Sequence, residues 1–156
     1  MEVLVEAVGL TKHYPARDRH SQGFTAVDGI DFTLRRGELF GFLGPNGAGK
    51  SSTMRMLACV SPVTSGTLEV LGMDPAKDGR RIRSRLGVVQ QDDALDSELS
   101  VRENLEIYGR YFGLSRSDVA ERALELLEFA QLTERSTERV DALSGGMRRR
   151  LTIARA

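Results

Sequence analysis

Apolar residues in the first part of the chain come in short bursts. Residues 3–8 and 26–34 (AVDGIDFTL, interrupted at Gly29) read as strands, and after an Arg36-Gly37 turn residues 38–43 (ELFGFL) read as a third. A charged connection over 12–24, holding Pro15 and both histidines, separates the first two. The pattern changes at a glycine-rich turn, which opens a helix over 50–59 that ends before Ser61-Pro62. A strand over 67–70 follows a Ser-Gly turn, and another apolar run, 86–89, follows the basic segment 80–85. Strands alternating with helices indicate an α/β core. Around Ser97 the strands stop. Val101, Leu105, Tyr108 and Phe112 recur at helical spacing, and Ser100 with Glu103 forms a capping-box start for them. Val119, Ala123, Leu126, Leu127 and Ala130 mark a second amphipathic helix. The chain thus reads as an α/β portion over 1–97, a helical portion over 98–143 and the start of a further helix over 144–156.

Composition narrows the classes. The 156 residues are about one domain's worth, and 40% hydrophobic content is enough to bury a core. The 22 basic side chains balance 22 acidic ones, so no overall charge draws the chain to nucleic acid or anionic lipid. Cys59 is the only cysteine, excludes an internal disulfide and reads as a small buried hydrophobe on the 50–59 helix. His13 and His20 lie among arginines without the three or four convergent ligands of a metal site. No apolar run approaches the ~20 residues that span a bilayer, and the first residues lack the basic start of a signal peptide. These features read as a cytosolic chain.

The glycine-rich turn carries chemistry. Gly44-Pro45-Asn46-Gly47-Ala48-Gly49-Lys50-Ser51 fits G-x-x-x-x-G-K-[ST] at every fixed position, with an apolar run before it and a helix after it. Glycines let backbone N–H groups curl around a phosphate, and a helix N-terminus adds positive potential. Lys50 can neutralise β/γ-phosphates, and the Ser51 hydroxyl can ligate Mg²⁺. Kinases, GTPases and ATPases all use such a loop. A second segment, Leu143-Ser144-Gly145-Gly146-Met147, has the form of a capped helix start: Ser144 is a good N-cap, two glycines leave backbone donors uncovered, and Met147, Leu151 and Ala154 fall on one face. In isolation it is an ordinary helix start.

Together the motifs resemble the ATP-binding cassette family, the motor subunits of ABC transporters, over essentially the whole chain. The resemblance implies a P-loop NTPase (RecA-like) α/β core with an N-terminal antiparallel β region and an inserted α-helical subdomain. It makes Tyr14, after Leu10-Thr11-Lys12, the aromatic that stacks on adenine, and Gly44 to Ser51, with Ser52 beside them, the phosphate loop. Gln91, in Leu86-Gly87-Val88-Val89-Gln90-Gln91-Asp92, matches the glutamine that touches Mg²⁺ and the attacking water and couples the site to a membrane partner, although Gln90 beside it leaves the alignment open by one position. Residues 143–147 resemble the LSGGQ signature, departing from it at Met147, and assign Ser144, Gly145 and Gly146 to the γ-phosphate of ATP held by the opposite subunit. Arg148, Arg149 and Arg150 read as a solvated face of the signature helix, and no nucleic-acid partner is expected. Finer likeness, in residues 93–96, 101–105, 107–114 and 146–151, is to exporters of the nodulation-factor and daunorubicin-resistance type.

The resemblance implies ATP and Mg²⁺ as ligands, a second cassette and an integral membrane permease as partners, and a place on the inner face of the cell membrane. The family's Walker B aspartate, the adjacent catalytic glutamate and the switch histidine follow the signature and have no counterpart in these residues. The chain therefore reads as the N-terminal part of a longer protein, and residues 1–156 alone are expected not to hydrolyse ATP. Two other classes fit less well. A non-transport ATPase of the DNA-repair or translation-factor class shares the motifs, but DNA-repair relatives insert a long coiled coil where this chain has one short helical region. A kinase or GTPase explains the phosphate loop and leaves Ser144–Gly146 without a reason.

Overall fold

A computed structural model describes residues 1–16, 22–90 and 94–156. The chain divides into two compact units, Met1–Leu86 and Gly87–Ala156. In the first unit, strands β1 (Val3–Tyr14) and β2 (Phe24–Arg35) form an antiparallel hairpin, and β3 (Ser65–Val70) adds antiparallel to the other edge of β1, giving the order β2-β1-β3. Helix α1 (Lys50–Leu57) lies between β2 and β3 in sequence, and α2 (Pro75–Arg83) follows β3. Val5, Ala7 and Leu10 of β1 pack with Val27, Leu68, Val70, Met56 and Ile82 into this unit's core. Val5 and Ala7 point inward in the ordinary alternation, and then Leu10 and Lys12 do so one residue out of phase. The slip is a bulge at Gly9, whose φ is 58° and whose N–H donates to the Asp31 carboxylate.

The second unit is helical. Helix α3 (Val101–Tyr111) starts at Ser100 with both halves of a capping box: the Ser100 hydroxyl accepts from Glu103 N–H, and the Glu103 carboxylate accepts from Ser100 N–H at 2.8 Å. Helix α4 (Arg116–Phe129) is capped by Ser115, and α5 (Gly145–Arg155) by Ser144. Val101 and Leu105 of α3, Ala123 and Leu127 of α4 and Leu151 and Ala154 of α5 form one core, with Leu126 and Met147 packed at its edge. Buried Asn104 closes a polar corner: its side chain accepts from Asp96 N–H and donates to the carbonyls of Asp96 and Ser100.

Several sequence expectations change at this level. The first two strands are longer than 3–8 and 26–34, because Lys12, His13 and Tyr14 pair with Val27, Thr25 and Phe24 and shorten the charged connection. Residues 38–43 and 86–89 are not strands. A strand exists only where its backbone groups meet a partner, and among the described residues β2 and β3 pair only with β1. Residues 38–43 are held instead by a ring cluster, with Phe40 and Phe42 each 5.4 Å from Phe32, while Leu39 and Leu43 stand almost wholly in solvent. The basic segment 80–85 belongs largely to α2, capped by Asp74 with Pro75 in its first turn. Cys59 is half-buried and lies past the end of α1: it holds φ 54° while its N–H bonds to Met56 O and the Val60 N–H to Arg55 O, a Schellman end without the usual glycine. Phe112 follows α3 and is exposed, so the apolar stripe of that helix stops at Tyr108.

Candidate functional site

The phosphate loop is built by one close approach. Gly49 sits at φ 84°, and a Cβ there would lie 2.2 Å from the Ala26 carbonyl oxygen of β2, so only glycine lets the loop seat on that strand. Gly49 is also the N-cap of α1, with no side-chain hydrogen bond closing the helix start and no acidic residue in the first turn. The first amides of α1 are therefore available to an anion. Lys50 arches back over the loop and donates to the carbonyls of Gly44 and Pro45 at 2.6 and 2.7 Å. Its ammonium is thereby fixed on the same turn as those amides. Ala48 N–H closes the turn on Pro45 O, and Thr53, buried, returns both N–H and hydroxyl to Gly49 O. Gly44, Pro45, Asn46, Gly47, Ala48 and Ser51 are exposed. Beside the loop lies an open hollow of about 350 Å³ reached by Gly47, Ala48, Lys50 and Phe42.

Tyr14 is brought to this helix by the hairpin. Its hydroxyl donates to Ser52 Oγ at 3.3 Å, in the first turn of α1. That contact, with smaller help from Ser61 and Lys12 and against the effect of burial, holds the phenol below its ordinary pKa. The Tyr14 ring stacks on Phe24, its cross-strand partner, at 5.3 Å and 27°. The ammonium of Lys12, a buried side chain that donates to Pro62 O, stands 5.1 Å from the Tyr14 ring centre. Neither Phe24 nor Lys12 was singled out by the sequence: their convergence on Tyr14 depends on the hairpin register, which residue spacing does not reveal.

In the helical unit, Ser144 Oγ accepts from Met147 N–H at 3.3 Å at the head of α5. Gly145 and Gly146 are exposed, and a Cβ at either would meet nothing within 4 Å. Arg149 and Arg150 are exposed, and Arg148 is half-buried with a hydrogen bond to Leu143 O. Gln91 lies outside the described residues, as does His20. The described residues on either side of 91–93 are both bonded by α5: Arg149 donates to Gln90 O at 2.7 Å, and Arg155 donates to Ala94 O while its guanidinium lies 4.7 Å over the Tyr108 ring. A signal for the two arginines exists in the sequence only as the basic character of that helix.

The profile of the ABC transporter family matches residues 27–156. Nod factor export ATP-binding protein I of Ralstonia nicotianae is 47% identical over 153 residues, covering 98% of this chain and 46% of that protein. The protein of the same name from Rhizobium meliloti is 45% identical over 154 residues, covering 99% of this chain and 44% of its own length. The chain therefore spans less than half the length of these relatives. Among solved structures, a dimeric ATP-binding cassette in a post-hydrolysis state with ADP and Pi superposes with a TM-score of 0.82 at 26% identity, over 97% of this chain and 68% of that one. An ATP-binding subunit of an ABC transporter superposes with a TM-score of 0.78 at 25% identity, over 98% of this chain and 61% of that one.

Proposed function

The chain belongs to the ABC transporter family, and from that premise we propose that it is the N-terminal part of an ATP-binding motor subunit that drives export through a separate membrane permease. The observation that carries the reading is the start of α1: a glycine-seated turn whose first amides no side chain caps, with Lys50 pinned across it. Such a turn is shaped for a polyphosphate. Export is favoured over the translation-factor alternative because the relatives matched along nearly the whole chain are named for Nod factor export. No helix among the described residues is long and apolar enough to cross a membrane, which suits a motor that works on a permease from the cytoplasmic side.

In this reading the turn's amides and Lys50 receive the β- and γ-phosphates and neutralise their charge. Tyr14, tied through its hydroxyl to Ser52, would supply the ring on which adenine stacks. The donor set fits Mg²⁺: an exposed hydroxyl at Ser51, a hard oxygen ligand, follows directly on the glycine-seated cradle. Ser51 and, by the resemblance, Gln91 would hold the ion, which when bound supplies neutralisation of the developing phosphate charge. Gln91 would also orient the attacking water. Ser144, Gly145 and Gly146 would close on the nucleotide of a second cassette. Their open surroundings support this, because among the described residues nothing lies within 4 Å of where a Cβ at 145 or 146 would stand. Hydrolysis is assigned to the longer parent.

The test is a titration of the 156-residue chain with MgATP and with inorganic tripolyphosphate. Both are expected to bind weakly, and Lys50→Ala is expected to weaken both by at least about tenfold with an unchanged melting temperature. Equal binding by wild type and Lys50→Ala would overturn the phosphate assignment. Steady ATP turnover by residues 1–156, abolished by Lys50→Ala, would overturn the assignment of hydrolysis to the parent.

A further inference from the structure

Charge balances over the chain as a whole but not along it. Residues 74–85 hold five cations, Lys77, Arg80, Arg81, Arg83 and Arg85, against two carboxylates, Asp74 and Asp78. All five cations are exposed, and Ile82 is the one buried residue of the segment. Few of these charges are neutralised. Lys77 meets Asp74, the N-cap of α2, at 3.2 Å, and Arg83 donates to the Cys59 carbonyl at 2.8 Å. Arg85 shares Glu2 with Arg36: the Glu2 carboxylate is held below its ordinary pKa chiefly by its bond to Arg36 and to a lesser degree by the charge of Arg85. The guanidinium groups of Arg80 and Arg81 meet no carboxylate among the described residues.

Folding alone does not account for this excess. Like charges three apart on a helix, such as Arg80 and Arg83, disfavour it. The helix macrodipole favours cations in the last turn, which gives a reason for one or two of them. It gives none for Lys77 near the start of α2 or for Arg85 past its end. None of the exposed large apolar side chains lies within residues 72–86, so nothing here is built to enter an apolar groove or an acyl layer. What this face presents to a partner is positive charge.

We propose that α2 and Arg85 form a contact surface for the anionic headgroups of a lipid bilayer. The choice of a bilayer over an acidic polypeptide rests on the proposed function, which sets the chain beside a membrane permease; the charge cluster stands without it. A guanidinium group matches two phosphate oxygens with two parallel hydrogen bonds, and clustered basic side chains beside an anionic membrane each add to the attraction. Without an apolar wedge the contact stays at headgroup level and is coulombic. It is therefore reversible and weakens as salt shortens the screening length.

The probe is a vesicle of one part phosphatidylglycerol to two parts phosphatidylcholine, read by co-sedimentation of the 156-residue chain. Binding is expected at low salt, with loss at about 1 M salt and none on phosphatidylcholine alone. Arg80→Gln, Arg81→Gln and Arg85→Gln together leave the Arg83–Cys59 bond and the Asp74 cap in place. This triple variant is expected to weaken binding at least about tenfold without lowering the melting temperature. Removing three exposed cations elsewhere, by Arg110→Gln, Arg116→Gln and Arg150→Gln, is expected to leave binding nearly unchanged. Lys50→Ala is expected to bind the vesicles as the wild type does. A wild-type chain that binds no polyphosphate yet keeps to anionic vesicles would thus overturn the nucleotide reading and uphold this surface. Equal losses in the two triple variants, no preference for anionic vesicles, or displacement by soluble polyglutamate at matched charge would overturn the membrane assignment, the last in favour of an acidic polypeptide.

Discussion

Helix α1 begins at Gly49, in the left-handed region, with no side chain over its first amides; helix α5 begins at Ser144, in the extended region, with its hydroxyl on Met147 N–H. Both starts are rich in glycine, but the glycines stand in different surroundings. At Gly49 the fold itself leaves no room, because the Ala26 carbonyl occupies the place of a side chain. At Gly145 and Gly146 the fold leaves ample room, and the backbone there is ordinary helix. A glycine demanded from inside and a glycine tolerated from inside look identical in sequence. The difference separates a loop whose glycine is fixed by a strand of its own chain from a surface whose glycines meet no reason among the described residues.

That contrast can be broken experimentally, and the largest effect belongs to Gly49. Gly49→Ala must either move β2 or abandon the turn, and combines overpacking with a left-handed φ for a side-chain residue. It is expected to lower the unfolding free energy by roughly 2–4 kcal/mol in urea melts and to abolish tripolyphosphate binding. An intermediate effect belongs to a capped start with no glycine. Ser100→Ala removes one half of the α3 capping box and is expected to cost about 1 kcal/mol, read as a lower denaturation midpoint with an unchanged slope. Gly145→Ala and Gly146→Ala should be the reverse of Gly49→Ala: neutral or stabilising by up to about 0.5 kcal/mol in the isolated chain, since alanine is the better helix former. Under the function proposed here, the same two changes in the parent protein are expected to reduce ATP turnover. A loss of stability comparable to that of Gly49→Ala would show that the two starts do not differ as described.

The smallest effect is a pH dependence. The Glu103 carboxylate is held below its ordinary pKa, chiefly by the backbone N–H of Ser100 and then by its hydroxyl. Because the folded value lies below the unfolded one, the contribution is complete above the unfolded pKa and is lost as pH falls through the folded one. Glu103→Gln should therefore melt less differently between pH 7 and pH 3 than the wild type does. Equal acid sensitivity in the two proteins would assign the effect elsewhere.

Much of this was legible in the residues, for identifiable reasons. The phosphate loop, the Ser100 and Ser144 caps and the α4 stripe are local patterns, set by neighbours three or four positions away. What was not legible depends on distant partners. The second half of β1 is hidden because the Gly9 bulge shifts the inward positions from Val5 and Ala7 to Leu10 and Lys12. Helix α2 is hidden because it buries only Ile82 and so shows no apolar period, although Asp74-Pro75 marks its start. Residues 38–43 have the composition of a strand, but composition does not provide a neighbour. Cys59 sits where a glycine would announce a helix end. The Tyr14–Phe24–Lys12 group forms only because the hairpin sets Tyr14 opposite Phe24.

The strand order β2-β1-β3 bears on how the phosphate loop comes into being as the chain folds. Both outer strands rest on β1, the earliest of the three in sequence, whereas the loop belongs to residues 36–64, the excursion pinned at each end to that strand. Contacts close in sequence cost less loop-closure entropy than contacts made across a long excursion. The β1–β2 hairpin can therefore form early, with Ala26 in place for Gly49 to seat against. The excursion becomes a closed lobe only when β3 has paired. The pairing of β3 with β1 is thus the contact that closes the lobe carrying Lys50 and its turn.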